Sequence, residues 1–112
     1  MVTLLTNLHR HELLNQENTT LLKNVLTRCQ TGNERILGLL PPGTTVAHKT
    51  GSIRRCTVND AGFITMPDNA GHIALAIFTT SATDKDFMKV SDCEKTIANI
   101  ARAIYDYFLF TQ

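Results

Sequence analysis

The sequence lacks the features that mark a membrane-spanning protein, a disulfide-stabilised domain or a nucleic-acid-binding protein. No apolar run approaches the ~20 residues that a helix needs to span a bilayer. The chain has 112 residues and a formal net charge of +1, so it has no global attraction for nucleic acid or for an acidic membrane. Its three cysteines show no Cys-x-x-Cys spacing, which argues against a disulfide framework and against a zinc site.

The composition is that of a small globular domain, with 43% hydrophobic and 19% charged residues. Three strand-like runs lie in the middle of the chain, over Thr44–Lys49, Cys56–Met66 and His72–Thr80. Apolar residues at helical spacing form two segments before these runs and one segment after them. The pattern therefore predicts an α+β fold, in which a three-stranded antiparallel sheet packs against a C-terminal helix and is preceded by two helices.

Several local signals predict where these elements begin and how they are covered. Asn18 or Thr19 is expected to cap the second helix. Ser91 and Glu94 have the spacing of a capping box at the start of the last helix. In the run His72–Thr80 both alternating sets of residues are apolar, so this strand is expected to be covered on both faces.

A Lys-Thr-Gly-Ser sequence at the end of the first predicted strand offers the chemistry of a carboxylate-binding site. Lys49 supplies a point charge, and the hydroxyl of Thr50 beside it supplies an oriented hydrogen bond. Gly51 lets a ligand approach the backbone closely. An exposed edge strand at this place can also pair with the amide of a ligand as if the ligand were an added strand.

The order of motifs along the chain resembles that of the class A serine β-lactamases, which are penicillin-recognising serine hydrolases. The motifs are Thr31-Gly32-x-x-Arg35, Lys49-Thr50-Gly51 and Asn59-Asp60-Ala61-Gly62-Phe63-Ile64. The resemblance covers nearly the whole sequence and implies a partial β-lactamase/transpeptidase-like fold. Residues 1–34 would be the end of the family's helical domain, and residues 35–112 would be the C-terminal part of its α/β domain.

The resemblance also implies roles for the residues of the Lys-Thr-Gly-Ser sequence. Lys49 would supply positive potential near the nucleophile and the ligand carboxylate. The hydroxyls of Thr50 and Ser52, on either side of Gly51, would donate hydrogen bonds to that carboxylate. The Ser52 backbone N–H would be one of two donors in the oxyanion hole.

Three arginines have roles implied by the same resemblance. Arg35 would reach the ligand carboxylate from beneath the strand, as an arginine does in some members of the family. The alternative for Arg35 is a solvated charge in the loop after a helix. Arg54 and Arg55 would lie at the rim of the site, where they would tune substrate specificity.

The family's nucleophile motif, Ser-x-x-Lys, does not occur in the sequence. The residues three positions after Ser52, Ser81 and Ser91 are Arg55, Asp84 and Glu94. The family's Ser-Asp-Asn motif is also absent. We therefore expect the C-terminal substrate-binding part of an enzyme that hydrolyses the β-lactam amide through an acyl-enzyme, and we expect the isolated chain to be inactive. No metal ion or cofactor is expected.

Two other functions remain open. Lys-Thr-Gly also serves D,D-peptidases, so the chain is alternatively a fragment of a D,D-peptidase or another penicillin-binding protein, or a non-catalytic truncated domain. The expected ligand in the intact protein is a β-lactam or an acyl-D-Ala-D-Ala-like peptide.

The expected partner is a missing N-terminal segment or a second copy of the chain, either of which would pair with the edge of the strand His72–Thr80. No nucleic-acid or membrane partner is expected. The family resemblance implies a periplasmic or secreted protein, although the polar residues from Asn7 to Glu12 follow too early for the start of the sequence to be a signal peptide.

Overall fold

The computed structural model describes residues 1–53, 57–80 and 89–111. Its helices and strands are α1 Val2–His9, α2 Gln16–Thr27, β1 Val46–Ile53, β2 Thr57–Thr65, β3 His72–Thr80 and α3 Val90–Phe110, with short 3-10 turns at Ile36–Leu39 and Pro67–Asn69. The strands within the described ranges form an antiparallel sheet in the order β1-β2-β3. The predicted α+β class and the predicted order of elements are confirmed. In these same ranges, no helix is both long and apolar enough to cross a membrane.

Alternate residues of a strand point to opposite faces of the sheet, so the sheet has two apolar surfaces to bury. α3 covers one face and α1 contributes to the cover of the other. Ile73, Leu75 and Ile77 of β3 join the apolar layer beneath α3. Ala74 packs against the smaller cluster that α1 contributes to on the other face. Phe78 is 63% exposed, so the expectation that β3 is covered on both faces is wrong at this end of the strand.

The start of α2 is fixed by an earlier residue than the sequence suggested. The Asn15 side chain accepts a hydrogen bond from the backbone N–H of Asn18 at 2.8 Å, so Asn15 is the N-cap. The prediction that Asn18 or Thr19 caps this helix is therefore wrong. Thr19 is fully buried instead, and its hydroxyl donates to the carbonyl of Leu14 at 3.3 Å. An asparagine three residues earlier satisfies the first-turn N–H equally well.

The capping box predicted for the last helix is also wrong. α3 begins at Val90, with Lys89 as its N-cap and no side-chain capping bond. Ser91 therefore lies inside the helix. Glu94 does not turn back to the helix start, because its carboxylate accepts a hydrogen bond from Arg35.

Strand β1 continues through the Lys-Thr-Gly-Ser sequence, whereas the sequence pattern predicted that the strand ends at Lys49. Thr50, Gly51 and Ser52 are paired with residues of β2. The motif is therefore held inside a strand whose other side is an edge of the described sheet. Cys56, which the sequence pattern placed at the start of β2, lies outside the described residues.

Gly62 of β2 lies opposite His48 of β1, and the two strands leave no room there for a side chain. A Cβ at Gly62 would overlap the carbonyl oxygen of Ala47 and would lie 2.6 Å from the Cα of His48. Both neighbours are backbone atoms of a paired strand, so they cannot move aside without breaking the pairing. A side chain is therefore excluded at this position for a steric reason.

Replacing Gly62 with alanine should lower the free energy of unfolding by about 3 kcal/mol, because overpacking against fixed backbone disturbs the β1–β2 ladder. Gly51→Ala is the matched control, since a Cβ at Gly51 meets no atom within 4 Å. Urea denaturation of the two variants measures the difference. Equal unfolding midpoints would show that the sheet absorbs the extra methyl group.

A cluster of basic side chains lies where α1, α2 and β3 meet. The Nζ of Lys23 is 2.9 Å from the Nδ1 of His9, and the ring centroids of His9 and His72 are 4.8 Å apart. Burial, followed by the charges of Lys23 and then His72, lowers the pKa of His9 below its ordinary value of 6.5. The neutral imidazole is therefore the form that the fold favours, with Nδ1 accepting a hydrogen bond from Lys23.

The fold should lose stability on mild acidification because of His9. Its folded-state pKa is lowered, so the unfolded chain binds more protons and stability falls as the pH drops below the unfolded value of 6.5. His9→Asn should flatten the decline in the free energy of unfolding between about pH 7 and pH 5. Urea denaturation at a series of pH values measures the slope. A variant with the wild-type slope would rule out His9 as its source.

Candidate functional site

The Lys-Thr-Gly-Ser sequence presents its side chains on two faces of β1. One face of β1 packs towards α3 and carries the buried residues Val46 and His48. Thr50 and Ser52 lie further along the same face. Lys49 is exposed on the opposite face, and its Nζ donates to the carbonyl of Thr50. The strand thus presents an ammonium group on one side and two hydroxyls on the other.

Arg35 lies beneath this part of the sheet and is only 8% exposed. Its Nη1 donates to the carbonyls of Gly51 and Asn59 at 3.2 and 2.8 Å. Its Nη2 donates to the Ser52 hydroxyl at 2.9 Å. The alternative that Arg35 is a solvated loop charge is therefore wrong. The arginine lies under β1, and its guanidinium contacts Gly51 and Ser52 of that strand.

Glu94 of α3 is the charge partner of Arg35. The Arg35 Nε donates to Glu94 Oε2 at 3.1 Å, and both side chains are largely shielded from water. A guanidinium taken out of water is tolerated only when its charge and its donors are matched, so Glu94 offsets most of the desolvation of Arg35. Sequence reasoning missed this role, because the two residues are 59 positions apart.

The Thr31-Gly32-x-x-Arg35 motif brings Arg35 to this position. Gly32 has φ +68°, and a Cβ there would overlap the side chain of Thr50. The Thr31 and Thr50 hydroxyl oxygens are 2.7 Å apart and form a hydrogen bond. Gly32 therefore lets the chain pass close to β1. Three residues later, the Arg35 guanidinium lies beneath the strand.

A second buried polar pair lies on the same face of the sheet. His48 is 2% exposed and Asp60 is 0% exposed, and the His48 Nδ1 is 2.9 Å from each carboxylate oxygen of Asp60. In the sequence, Asp60 stands out only as part of the Asn59–Ile64 motif, and no pattern predicts a role for His48. A polar residue on the buried face of each of two neighbouring strands was the available signal, since buried polar groups need partners.

The structure gathers some of the sequence-predicted residues and separates others. Arg35, Gly51 and Ser52 are joined by direct hydrogen bonds. Thr50 lies beside them in the strand, while Lys49 faces the other way. Arg54 and Arg55 lie outside the described residues. Hydroxyls backed by a buried cation on an edge strand make a suitable recognition surface for an anionic group with a neighbouring amide.

Comparison with known proteins shows which family has a similar sequence and fold. The family model for the β-lactamase enzyme family matches residues 1–108. The chain belongs to the β-lactamase enzyme family. It is 31% identical over 106 residues to the β-lactamase VEB-1 of Pseudomonas aeruginosa, a match that covers 90% of this chain and 34% of VEB-1.

Solved structures of the family share the fold closely. The extended-spectrum β-lactamase TLA-1 superposes with a TM-score of 0.87 at 35% identity, covering 96% of this chain and 40% of that chain. A class A β-lactamase from Bacteroides cellulosilyticus also gives 0.87, at 27% identity, covering 99% of this chain and 40% of that chain. The chain therefore has a partial class A β-lactamase fold. It spans about a third of the length of the curated relatives that it matches.

The Arg35–Glu94 pair should contribute more to stability than an exposed ion pair of the same chain. Glu94→Gln leaves the buried guanidinium without its counter-charge and should lower the free energy of unfolding by about 1–3 kcal/mol. Asp106→Asn is the control, because Asp106 pairs with Arg102 at the surface and should contribute less than about 0.5 kcal/mol. Thermal and urea denaturation of both variants tests this difference. Equal losses would contradict a special role for the buried pair.

Proposed function

We propose that this chain supplies the C-terminal substrate-binding part of a class A-like serine β-lactamase. The observation that carries the proposal is the Arg35 guanidinium, held beneath the Lys-Thr-Gly-Ser strand and bonded to the Ser52 hydroxyl. This contact backs the hydroxyl surface of an edge strand with a fixed positive charge. A β-lactam offers the matching groups, a carboxylate next to an amide carbonyl.

Recognition of the carboxylate would use residues on both faces of β1. The hydroxyls of Thr50 and Ser52 would donate hydrogen bonds to it, with Arg35 behind them and the Lys49 charge close by. Gly51 would leave room for the ligand against the strand, since a Cβ at this position would otherwise project from it. The Ser52 backbone N–H would act as a donor of the oxyanion hole for the carbonyl that is attacked.

The covalent chemistry would need groups from outside these 112 residues. Acylation requires a nucleophile with an activating base within hydrogen-bond reach, and the sequence has no Ser-x-x-Lys motif. The isolated chain is therefore proposed to be inactive. In the whole enzyme, residues 1–34 would belong to the end of the helical domain and residues 35–112 to the α/β domain. Such an enzyme is proposed to act in the periplasm or outside the cell.

The proposal can be tested by placing this segment in a complete β-lactamase and measuring β-lactam hydrolysis. In a chimera, this chain replaces the matching segment of VEB-1, and folding is checked by circular dichroism. The folded chimera should hydrolyse a chromogenic cephalosporin, while the isolated chain should not. Lys49→Ala should lower kcat/KM about 10²–10³-fold, because Lys49 would lie where negative charge develops.

Arg10→Ala is the control for this experiment, because Arg10 is exposed after the end of α1. It should leave kcat/KM nearly unchanged. A folded chimera that cleaves acyl-D-Ala-D-Ala peptides but not β-lactams would favour the D,D-peptidase alternative. A folded chimera without either activity would favour a non-catalytic domain. Turnover by the isolated chain, blocked by a serine-acylating reagent, would contradict the proposed division of roles.

The edge of β3 is proposed to be where another segment joins the sheet. Among the described strands β3 pairs only with β2, and beside it lies a groove of about 530 Å³ lined in part by Ile73, Leu75, Ile104 and Phe108. An apolar strand edge that pairs with no other strand of the described ranges favours pairing with a further strand. The proposed occupant is an N-terminal segment of the enzyme or, failing that, a second copy of this chain.

The isolated chain should therefore associate through β3. Sedimentation velocity at tens of micromolar should show species larger than a monomer, and the outward-facing amides of His72–Thr80 should be protected from hydrogen exchange. Replacing Phe78, which is exposed on β3, by lysine puts a charge beside this edge without burying it and should reduce the association. A stable monomer whose β3 amides exchange freely would contradict the proposal.

A further inference from the structure

His48 and Asp60 form a polar pair in a part of the core that apolar side chains could fill. His48 lies on β1 and Asp60 lies on β2, and each is almost completely shielded from water. An apolar pair of the same size would fill this space without the desolvation that polar groups bring. The bonds that the pair makes therefore need a reason beyond packing.

These bonds connect three separate segments. The His48 Nδ1–H donates to the Asp60 carboxylate, with Nδ1 at 2.9 Å from both oxygens. Asp60 Oδ2 also accepts the backbone N–H of Ile36 at 3.2 Å. One carboxylate thus ties β1, β2 and the 3-10 turn that follows Arg35.

Each of the three joined residues is the direct neighbour of a residue at the site. His48 precedes Lys49, Ile36 follows Arg35, and Asp60 follows Asn59, whose carbonyl accepts from Arg35. A shift of any one of these segments would change the distance between the Arg35 guanidinium and β1. Directional hydrogen bonds resist such shifts in a way that apolar contacts do not.

We infer that His48 and Asp60 are positioning residues, which hold the Arg35 guanidinium in register with the Lys-Thr-Gly-Ser strand. This inference rests on the proposed function, in which that register presents the carboxylate-binding surface. The pair acts through Arg35 and the backbone of β1 and touches no ligand. Its effect is on the geometry of the site before any ligand binds.

Two substitutions at His48 separate positioning from general stability. His48→Asn keeps an N–H donor attached at Cγ, close to where Nδ1 lies, whereas His48→Leu removes the donor and keeps an apolar side chain of similar size. The full 112-residue chain, labelled with ¹⁵N, allows hydrogen exchange to be followed at the Arg35 Nε–H and the Ile36 amide. The amide of Thr19 in α2, which donates to the Asn15 carbonyl, reports on the rest of the fold.

In His48→Leu, the Arg35 Nε–H and the Ile36 amide should exchange at least about tenfold faster than in the wild type, while Thr19 keeps its wild-type rate. His48→Asn should restore slow exchange at both sites. Equal acceleration at Thr19, or no change at Arg35, would overturn the inference. If His48→Leu does not fold, the inference is tested on the wild-type chain by NMR. The imidazole proton of His48 should then reside on Nδ1 and show a nuclear Overhauser contact to the Ile36 amide. A proton found only on Nε2 would overturn it.

These measurements use no β-lactam, so they are independent of the chimera experiment. Slow exchange that depends on His48, together with a folded but inactive chimera, would reject the proposed function and keep the positioning role. A chimera that hydrolyses β-lactams, together with exchange at Arg35 that does not respond to His48, would reject the positioning role alone.

Discussion

The burial of Arg35 is the constraint on which the rest of this structure depends. A guanidinium can leave water only if its charge and its N–H groups find partners. Here the partners come from β1, β2 and α3, through the carbonyls of Gly51 and Asn59, the Ser52 hydroxyl and the Glu94 carboxylate. Satisfying one side chain therefore fixes the relative positions of a loop, two strands and a helix.

The sheet edge gains its chemical character from this arrangement. An edge strand ordinarily exposes unpaired backbone groups, which is a liability in a folded protein. In β1 the same edge carries hydroxyls at Thr50 and Ser52, and a buried cation lies behind them. The close crossing of Gly32 over Thr50 makes this possible, because a larger residue would hold Arg35 away from the strand. Under the proposed function, this edge is where a ligand with an amide and a carboxylate would pair.

Under the proposed function, carboxylate recognition and covalent chemistry depend on different parts of the enzyme. The groups that suit a carboxylate are assembled within about a third of the length of the curated relatives, and they are held by contacts inside that third. The nucleophile motif is not among these residues. The proposed carboxylate-binding surface is therefore positioned by contacts within this segment, which agrees with the general requirement that such groups be positioned before charge develops.

The sequence by itself determined the elements and the family. Alternating and helical periodicities predicted the three strands and three helices, since those periods follow directly from backbone geometry. The motifs containing Arg35 and Lys49-Thr50-Gly51 indicated the family, which the family model and the solved relatives confirmed. The capping residues were less predictable, because Asn15 and Lys89 compete with polar neighbours that have similar local preferences.

Only the tertiary structure decided which polar groups meet. Glu94 has the spacing of a helix cap, yet its carboxylate pairs with Arg35 because the packing of α3 on the sheet brings the two together. The His48–Asp60 pair likewise depends on the β1–β2 register, which sets Thr50 opposite Asp60 and Gly62 opposite His48. Local patterns specify local backbone geometry. Contacts between residues far apart in the chain depend on register and packing, which are properties of the whole fold.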